Sequence, residues 1–143
     1  MSAKKLNILL VEDNSDHVEL VKRALKSEDS EVQVYAVPDG QEALDFVFKK
    51  GKYKLKQELP TPDMILLDIK LPKIDGYTVV KTIKSDSRCK DIPIIVLTTS
   101  ARPEDIERMY TCGANSYIIK PSQYQEFVKI MGKVEAYWSH FSN

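Results

Sequence analysis

Five short apolar runs rich in β-branched residues recur along the chain, each followed by a stretch with helical spacing. No other feature narrows the possible folds as far. The runs are Leu6 to Val11, Val32 to Val37, Met64 to Leu67, Ile92 to Leu97 and Tyr117 to Ile119. They lack a helical repeat and are bounded by polar or turn residues, so they read as buried strands. The intervening segments place Val18, Val21 and Leu25, then Ala43, Leu44 and Val47, then Val79, Val80 and Ile83, then Ile106, Met109 and Tyr110 on one helical face each. The joints carry matching chemistry. Asp39 and Glu42 form a D-x-x-E capping pattern, Pro103 precedes the acidic Glu104 and Asp105, and Gly113 can end that helix. A last helix is expected from near Ser122, with Gln125 completing a capping box. Its stripe of Tyr124, Phe127, Val128, Met131, Val134 and Trp138 is expected to face the core.

Parallel neighbours need crossover connections, and those crossovers are right-handed, so five strand–helix units imply a parallel sheet covered on both faces. The expected class is doubly wound α/β, flavodoxin-like, with five strands in the order 2-1-3-4-5. A chain of 143 residues holds one hydrophobic core, so a single domain is expected over 1–143, with its core about 6–138 and no effector domain. The one irregular stretch is the basic segment from Lys49 to Pro62. Lys plus Arg and Asp plus Glu each number 21, which leaves no overall field to attract nucleic acid or an acidic membrane. The six apolar-rich positions from Leu6 are too few for a signal peptide or a membrane span, so a cytoplasmic location is expected. Cys89 and Cys112 show no metal-ligand spacing and are expected to stay reduced.

Ligands of an open parallel sheet bind beyond the carboxyl ends of the strands, where strand order reverses. The residues at those ends are Glu12 and Asp13 after the first run, Asp68 after the third, Thr98 and Thr99 after the fourth, and Lys120 and Pro121 after the fifth. Three carboxylates, a hydroxyl and an ammonium therefore converge. Crowded carboxylates need a compensating cation, which Lys120 and a hard divalent ion would supply. Mg2+ takes oxygen ligands and typically one or two protein carboxylates together with a phosphate oxygen, as Glu12, Asp13 and Asp68 can offer. A carboxylate can attack phosphorus to give an acyl phosphate, with catalysis resting on positioning and on charge neutralisation by groups such as Lys120 and Thr98.

The set of Glu12-Asp13, Asp68 followed by Leu71-Pro72 and Asp75-Gly76, Thr98, and Tyr117 with Lys120-Pro121 resembles the response-regulator receiver family over roughly the whole chain. The long loop before the third strand, the run Leu97 to Ser100 and the final Val134 to Trp138 resemble stand-alone regulators paired with phytochrome-type sensor kinases. This resemblance implies that Asp68 accepts a phosphoryl group from a histidine kinase. It implies that Asp13 binds Mg2+ directly, that Glu12 orients the ion through water, and that the backbone carbonyl of Lys70 is a further ligand. It also implies that Thr98 and Lys120 hold the phosphoryl oxygens, that Tyr117 turns inward as Thr98 moves, and that the Lys120–Pro121 peptide is cis. Output would pass through contact with a downstream protein. A homodimer is expected through the face formed by the fourth helix, fifth strand and last helix, on the strength of Tyr110, Tyr117, Tyr124 and Trp138.

Each residue also has a plainer explanation. Asp68 can be a turn acid, Glu12 and Asp13 can complement the positive end of the following helix, Lys120 can be a surface lysine, and Tyr117 can be an ordinary strand aromatic. Their convergence favours the site. The run from Lys49 to Lys56 is either an acidic-partner surface or a solvated loop. Trp138, His140 and Phe141 either complete the core or dock a partner, with Phe141 the stronger interface candidate. Competing functions are an unphosphorylated receiver-like scaffold, an aspartyl-phosphate phosphatase and a flavin carrier. Lys70 stands where the phosphatase chemistry wants a second acid, and Glu12-Asp13-Asn14 would repel a flavin phosphate. Lys70, Thr99 and Ser100 border the site and leave the lifetime of a phosphate open.

Overall fold

The computed structural model describes residues 6–25, 32–55 and 59–141, with side chains to residue 136. Five strands, β1 (Leu6–Val11), β2 (Val32–Val37), β3 (Met64–Leu67), β4 (Ile94–Thr98) and β5 (Ser116–Ile119), alternate with five helices. The helices are α1 (Ser15–Leu25), α2 (Gly40–Phe48), α3 (Gly76–Lys84), α4 (Pro103–Cys112) and α5 (Tyr124–Phe141). All strand pairs are parallel, in the order β2-β1-β3-β4-β5, which is the flavodoxin-like order that the alternation implies.

The direction of winding reverses between β1 and β3. With right-handed crossovers, that reversal puts α1 on one face and α2, α3 and α4 on the other. The period-two alternation of the strands serves both faces. Ile8, Leu10, Met64, Leu66, Ile95 and Leu97 pack with Val21 and Leu25 of α1 and with Phe127, Met131 and Val134 of α5. The intervening Leu9, Val11, Ile65, Leu67, Ile94 and Val96 pack with Ala43, Phe46, Val79, Val80, Ile83 and Met109.

The helix joints follow local chemistry. Asp39 accepts a hydrogen bond from the Glu42 amide at 2.8 Å, and Asp75 accepts one from the Thr78 amide at 2.9 Å. Pro103 opens α4, and Gly113 closes it at φ 114°, a left-handed conformation that a side chain would strain.

Several expectations are corrected. β4 begins two residues after Ile92, because Pro93 has no amide to give the ladder, and it extends to Thr98. The last helix begins at Tyr124 rather than near Ser122, since Phe127 donates to the carbonyl of Gln123 and makes Gln123 the cap. Tyr124 and Val128 are exposed instead of facing the core. Val128 lies about 100° round the helix from Phe127, which takes it off the narrower stripe of Phe127, Met131 and Val134. The segment from Lys49 to Pro62 holds a 3-10 turn, Gly51–Tyr53, anchored by Tyr53 packing edge-on to Phe46 at 5.2 Å. Its charges are partly consumed internally: Lys52 pairs with Glu42 at 2.6 Å and Lys49 donates to the Leu59 carbonyl at 3.0 Å. The side chains of Trp138, His140 and Phe141, and Lys56 altogether, lie outside the described residues.

Candidate functional site

The register of β1 and β3 aligns Val11 with Leu67, so the next residues, Glu12 and Asp68, leave the sheet side by side at the point where strand order reverses. The Asp68 amide still donates to the Val11 carbonyl at 3.2 Å, which pins the two strand ends together. Glu12 is buried, with its side chain 4% exposed, and Asp68 is 16% exposed. Asp13 and Lys70 are exposed at the rim. Such crowding of acids requires a cation, and Lys120, reaching over from the end of β5, provides it. Its ammonium is hydrogen-bonded to Glu12 Oε1 and stands 3.5 Å from Asp68 Oδ2, with the lysine side chain only 7% exposed. The other Glu12 oxygen accepts from the Asn14 amide at 3.2 Å, and Asp68 Oδ1 accepts from the Ile69 amide at 2.7 Å.

The connection after β3 is shaped by a close backbone approach. A Cβ on Gly76 would stand 2.6 Å from the carbonyl oxygen of Asp68 and 2.9 Å from that of Ile69, so only glycine fits there. This contact seats the start of α3 directly on the backbone that carries Asp68.

Thr98 ends β4 as a buried hydroxyl, and its Oγ1 accepts a long 3.4 Å bond from the Ser100 amide. Tyr117 is half-buried on β5 and donates to the carbonyl of Ser100 at 2.9 Å. The Ser100 hydroxyl in turn donates to Asp105 at 2.6 Å, and Tyr77 donates to the other Asp105 oxygen at 2.7 Å. These bonds hold the Asp105 carboxyl below its usual range, with the Ser100 bond the largest cause. Burial, then the Asp105 bond, push the Tyr77 phenol up to about 12, although the Arg108 guanidinium stacks 3.9 Å from the ring centre. The sequence pattern did not reveal this network, because its members are spread over α3, α4 and the connection between β4 and α4.

The Lys120–Pro121 peptide is trans, contrary to the cis form that the resemblance implied. Trans is the lower form of an X-Pro bond by about 0.5–1 kcal/mol. The Lys120 amide donates to the Thr98 carbonyl at 2.6 Å, which carries the ladder to the residue before the proline without requiring the other isomer. A second surprise is His17, whose Nδ1 lies 3.0 Å from the Lys120 ammonium. Its signal was present in the sequence as a histidine one helical turn past Asp13, in a first turn capped by Asn14 through bonds from the Asp16 and His17 amides.

The site's oxygen-rich donors suit a hard divalent cation. Among the described residues, no three acid, histidine or cysteine side chains are already gathered as a closed cage. No helix among the described residues is long and apolar enough to cross a membrane.

Comparison with known proteins gives the same answer as the geometry. The response regulator receiver domain matches residues 8–131. The chain is 38% identical to the probable methanogenesis regulatory protein FilR2 of Methanothrix harundinacea, over 92% of this chain and 82% of that one. It is 35% identical to the response regulator Rcp1 of Synechocystis, over 92% and 87% of the two chains. A structure of Rcp1 in its Mn2+-bound form superposes with a TM-score of 0.84 at 34% identity, covering 93% of this chain and 94% of that one. The phosphorylated cyanobacterial phytochrome response regulator RcpA superposes with a TM-score of 0.87 at 37% identity over 94% of both chains. With its five-stranded order, its paired acids at the strand reversal and its lysine at the end of β5, the chain belongs to the response-regulator receiver family, close to the phytochrome response regulators.

Proposed function

We propose that this receiver is a reversible switch in which Asp68 takes a phosphoryl group from the phosphohistidine of a sensor kinase, with Mg2+ as the working cation. The observation that carries the reading is the lysine shared between Glu12 and Asp68 at the strand reversal, with the hydroxyl of Thr98 at the neighbouring strand end. In the transfer, an Asp68 carboxylate oxygen bonds to phosphorus, the phosphorus–nitrogen bond of phosphohistidine breaks, and the departing imidazole retains the electron pair. Asp13, Asp68 and the Lys70 carbonyl would hold Mg2+, with Glu12 orienting it, and the ion would supply charge neutralisation at the phosphoryl oxygens. Lys120 needs to move only a short way from Asp68 Oδ2, at 3.5 Å, to pair with a phosphoryl group. Thr98, loosely held by its 3.4 Å bond, is free to turn its hydroxyl toward the same group. Charge stabilisation by preplaced groups is the principal means of catalysing such transfers.

Thr98 and Tyr117 are joined through the backbone of Ser100, so movement of the threonine changes what the tyrosine can bind. Phosphorylation thereby shifts an equilibrium between two arrangements of β4, α4 and β5. Together with α5, these elements expose Tyr110, Ile119, Tyr124 and Val128, and a groove of about 380 Å3 between the β5 edge of the sheet and α5 is lined by Ile95, Tyr117, Ile119, Ile130 and Val134. A second copy of the chain is its proposed occupant, with an unidentified downstream protein receiving the signal in the cytoplasm. The likeness to RcpA and Rcp1 supports a phytochrome-type kinase as the donor.

Incubation with Mg2+ and a small phosphodonor should add one phosphoryl group by intact mass. Chelator or Asp68→Asn should abolish the addition. An unchanged mass in the wild-type chain favours the unphosphorylated scaffold. Sedimentation of the phosphorylated chain as a monomer at high concentration counts against the dimer.

A further inference from the structure

His17 has no place in the transfer chemistry described above, yet its ring is held against the central cation. Asn14 caps α1 and fixes its first turn, where His17 sits, and His17 lines a small groove with Leu20, Lys120, Pro121 and Phe127. Nδ1 stands 3.0 Å from the Lys120 ammonium and 3.5 Å from Glu12 Oε1. An ammonium has only protons to offer, so the closer contact requires a bare Nδ1 lone pair that accepts from Lys120, with the ring proton on Nε2. Two of the three ammonium protons are then used by Glu12 and His17, while Asp68 at 3.5 Å is left beyond hydrogen-bond distance.

We infer that His17 is a positioning residue that parks Lys120 on the Glu12 side of the site in the metal-free, unphosphorylated chain. It acts only through the lysine. A cation arriving among Glu12, Asp13 and Asp68 is repelled by the ammonium, so its entry requires the lysine to leave this berth. The His17 bond therefore opposes metal binding, and ion entry is coupled to release of Lys120 toward the place where a phosphoryl group on Asp68 would be met. The coupling rests on the function proposed above, whereas the His17–Lys120 bond does not.

Two measurements separate them. In the metal-free chain, 15N spectra should show His17 as the Nε2–H tautomer with Nδ1 accepting a hydrogen bond, and Lys120→Met should move the Nδ1 resonance. Magnesium should move it in the same direction. Calorimetric titration with Mg2+ should then show His17→Ala binding about three- to tenfold more tightly than wild type, the range expected for a half-exposed charge-assisted bond. His17→Asn, whose carbonyl oxygen can stand in for Nδ1, should return close to wild-type affinity.

Equal affinities in all three chains would overturn the coupling. Weaker binding by both variants would make the imidazole a metal ligand instead. A protonated Nδ1, or one unmoved by Lys120→Met, would remove the bond itself. Failure of the wild-type chain to bind Mg2+ would sink the proposed function and the coupling, with the spectra still deciding the bond.

Discussion

Replacing Lys120 by methionine keeps an unbranched stem of similar reach and removes the one ammonium between Glu12 and Asp68. Glu12 is 4% and Lys120 7% exposed, so the pair is buried, and deleting one partner of such a pair costs about 3–5 kcal/mol because the other charge is stranded. Asp68 is more open to water, and the exposed Asp13 marks a solvated rim, which places the expected loss at the lower end, about 3 kcal/mol. At about 2.1 cal/mol/K per residue, unfolding this chain carries about 0.3 kcal/mol/K, so the melting temperature should fall by about 10 °C. The assay is thermal unfolding by circular dichroism in chelator, repeated with saturating Mg2+. The ion replaces the missing positive charge, so the deficit should shrink to less than about half. A methionine variant that melts within about 2 °C of wild type in chelator, or gains no more from Mg2+ than wild type does, would refute the claim that this lysine neutralises the paired acids.

Gly76→Ala should perturb the site from behind, because its Cβ would meet the Asp68 carbonyl oxygen at 2.6 Å. We expect a loss of about 1–3 kcal/mol in urea unfolding together with slower phosphodonor labelling. Met131→Ala should cost about 2–5 kcal/mol in the same assay, whereas Val128→Ala, three residues earlier on the exposed flank of α5, should stay within about 0.5 kcal/mol. In an ultraviolet titration, Tyr77 should ionise near its shifted value of about 12, after ordinary tyrosines at about 10, and Tyr77→Phe should remove that late step. Because the folded chain holds the phenolic proton more tightly than the unfolded one, the stability contributed by Tyr77 is full below about pH 10 and is lost as pH rises toward about 12.

The elements were legible where local chemistry and burial agreed. β1 and β3 are almost wholly buried apolar runs, and the edge strand β2 is locked to β1 in register, so the ends of all three fall where the runs end. Pro93 displaced the start of β4 because a missing amide outweighs the hydrophobicity of Ile92. α5 misled because six apolar residues at helical spacing make a stripe wider than the groove between α1 and the sheet. The helix therefore buries Phe127, Met131 and Val134 and leaves Tyr124 and Val128 outside. Strand-end logic gathered Glu12, Asp68 and Lys120 because the rule for open parallel sheets depends on topology alone. The sequence spacing puts His17 one helical turn past Asp13, but its contact with Lys120 and the Tyr77–Asp105–Ser100 network depend on side-chain reach between elements, which spacing along the chain does not encode.

The central claim is that one carboxylate among many carries the phosphoryl group. An acyl phosphate is reduced by borohydride to an alcohol, so a phosphorylated aspartate becomes homoserine. Wild-type chain treated with Mg2+ and phosphodonor, reduced and digested, should yield a peptide with homoserine at position 68 and aspartate retained at position 13. Homoserine at any other position, or none in a chain whose mass shows the added phosphoryl group, would contradict the assignment of Asp68.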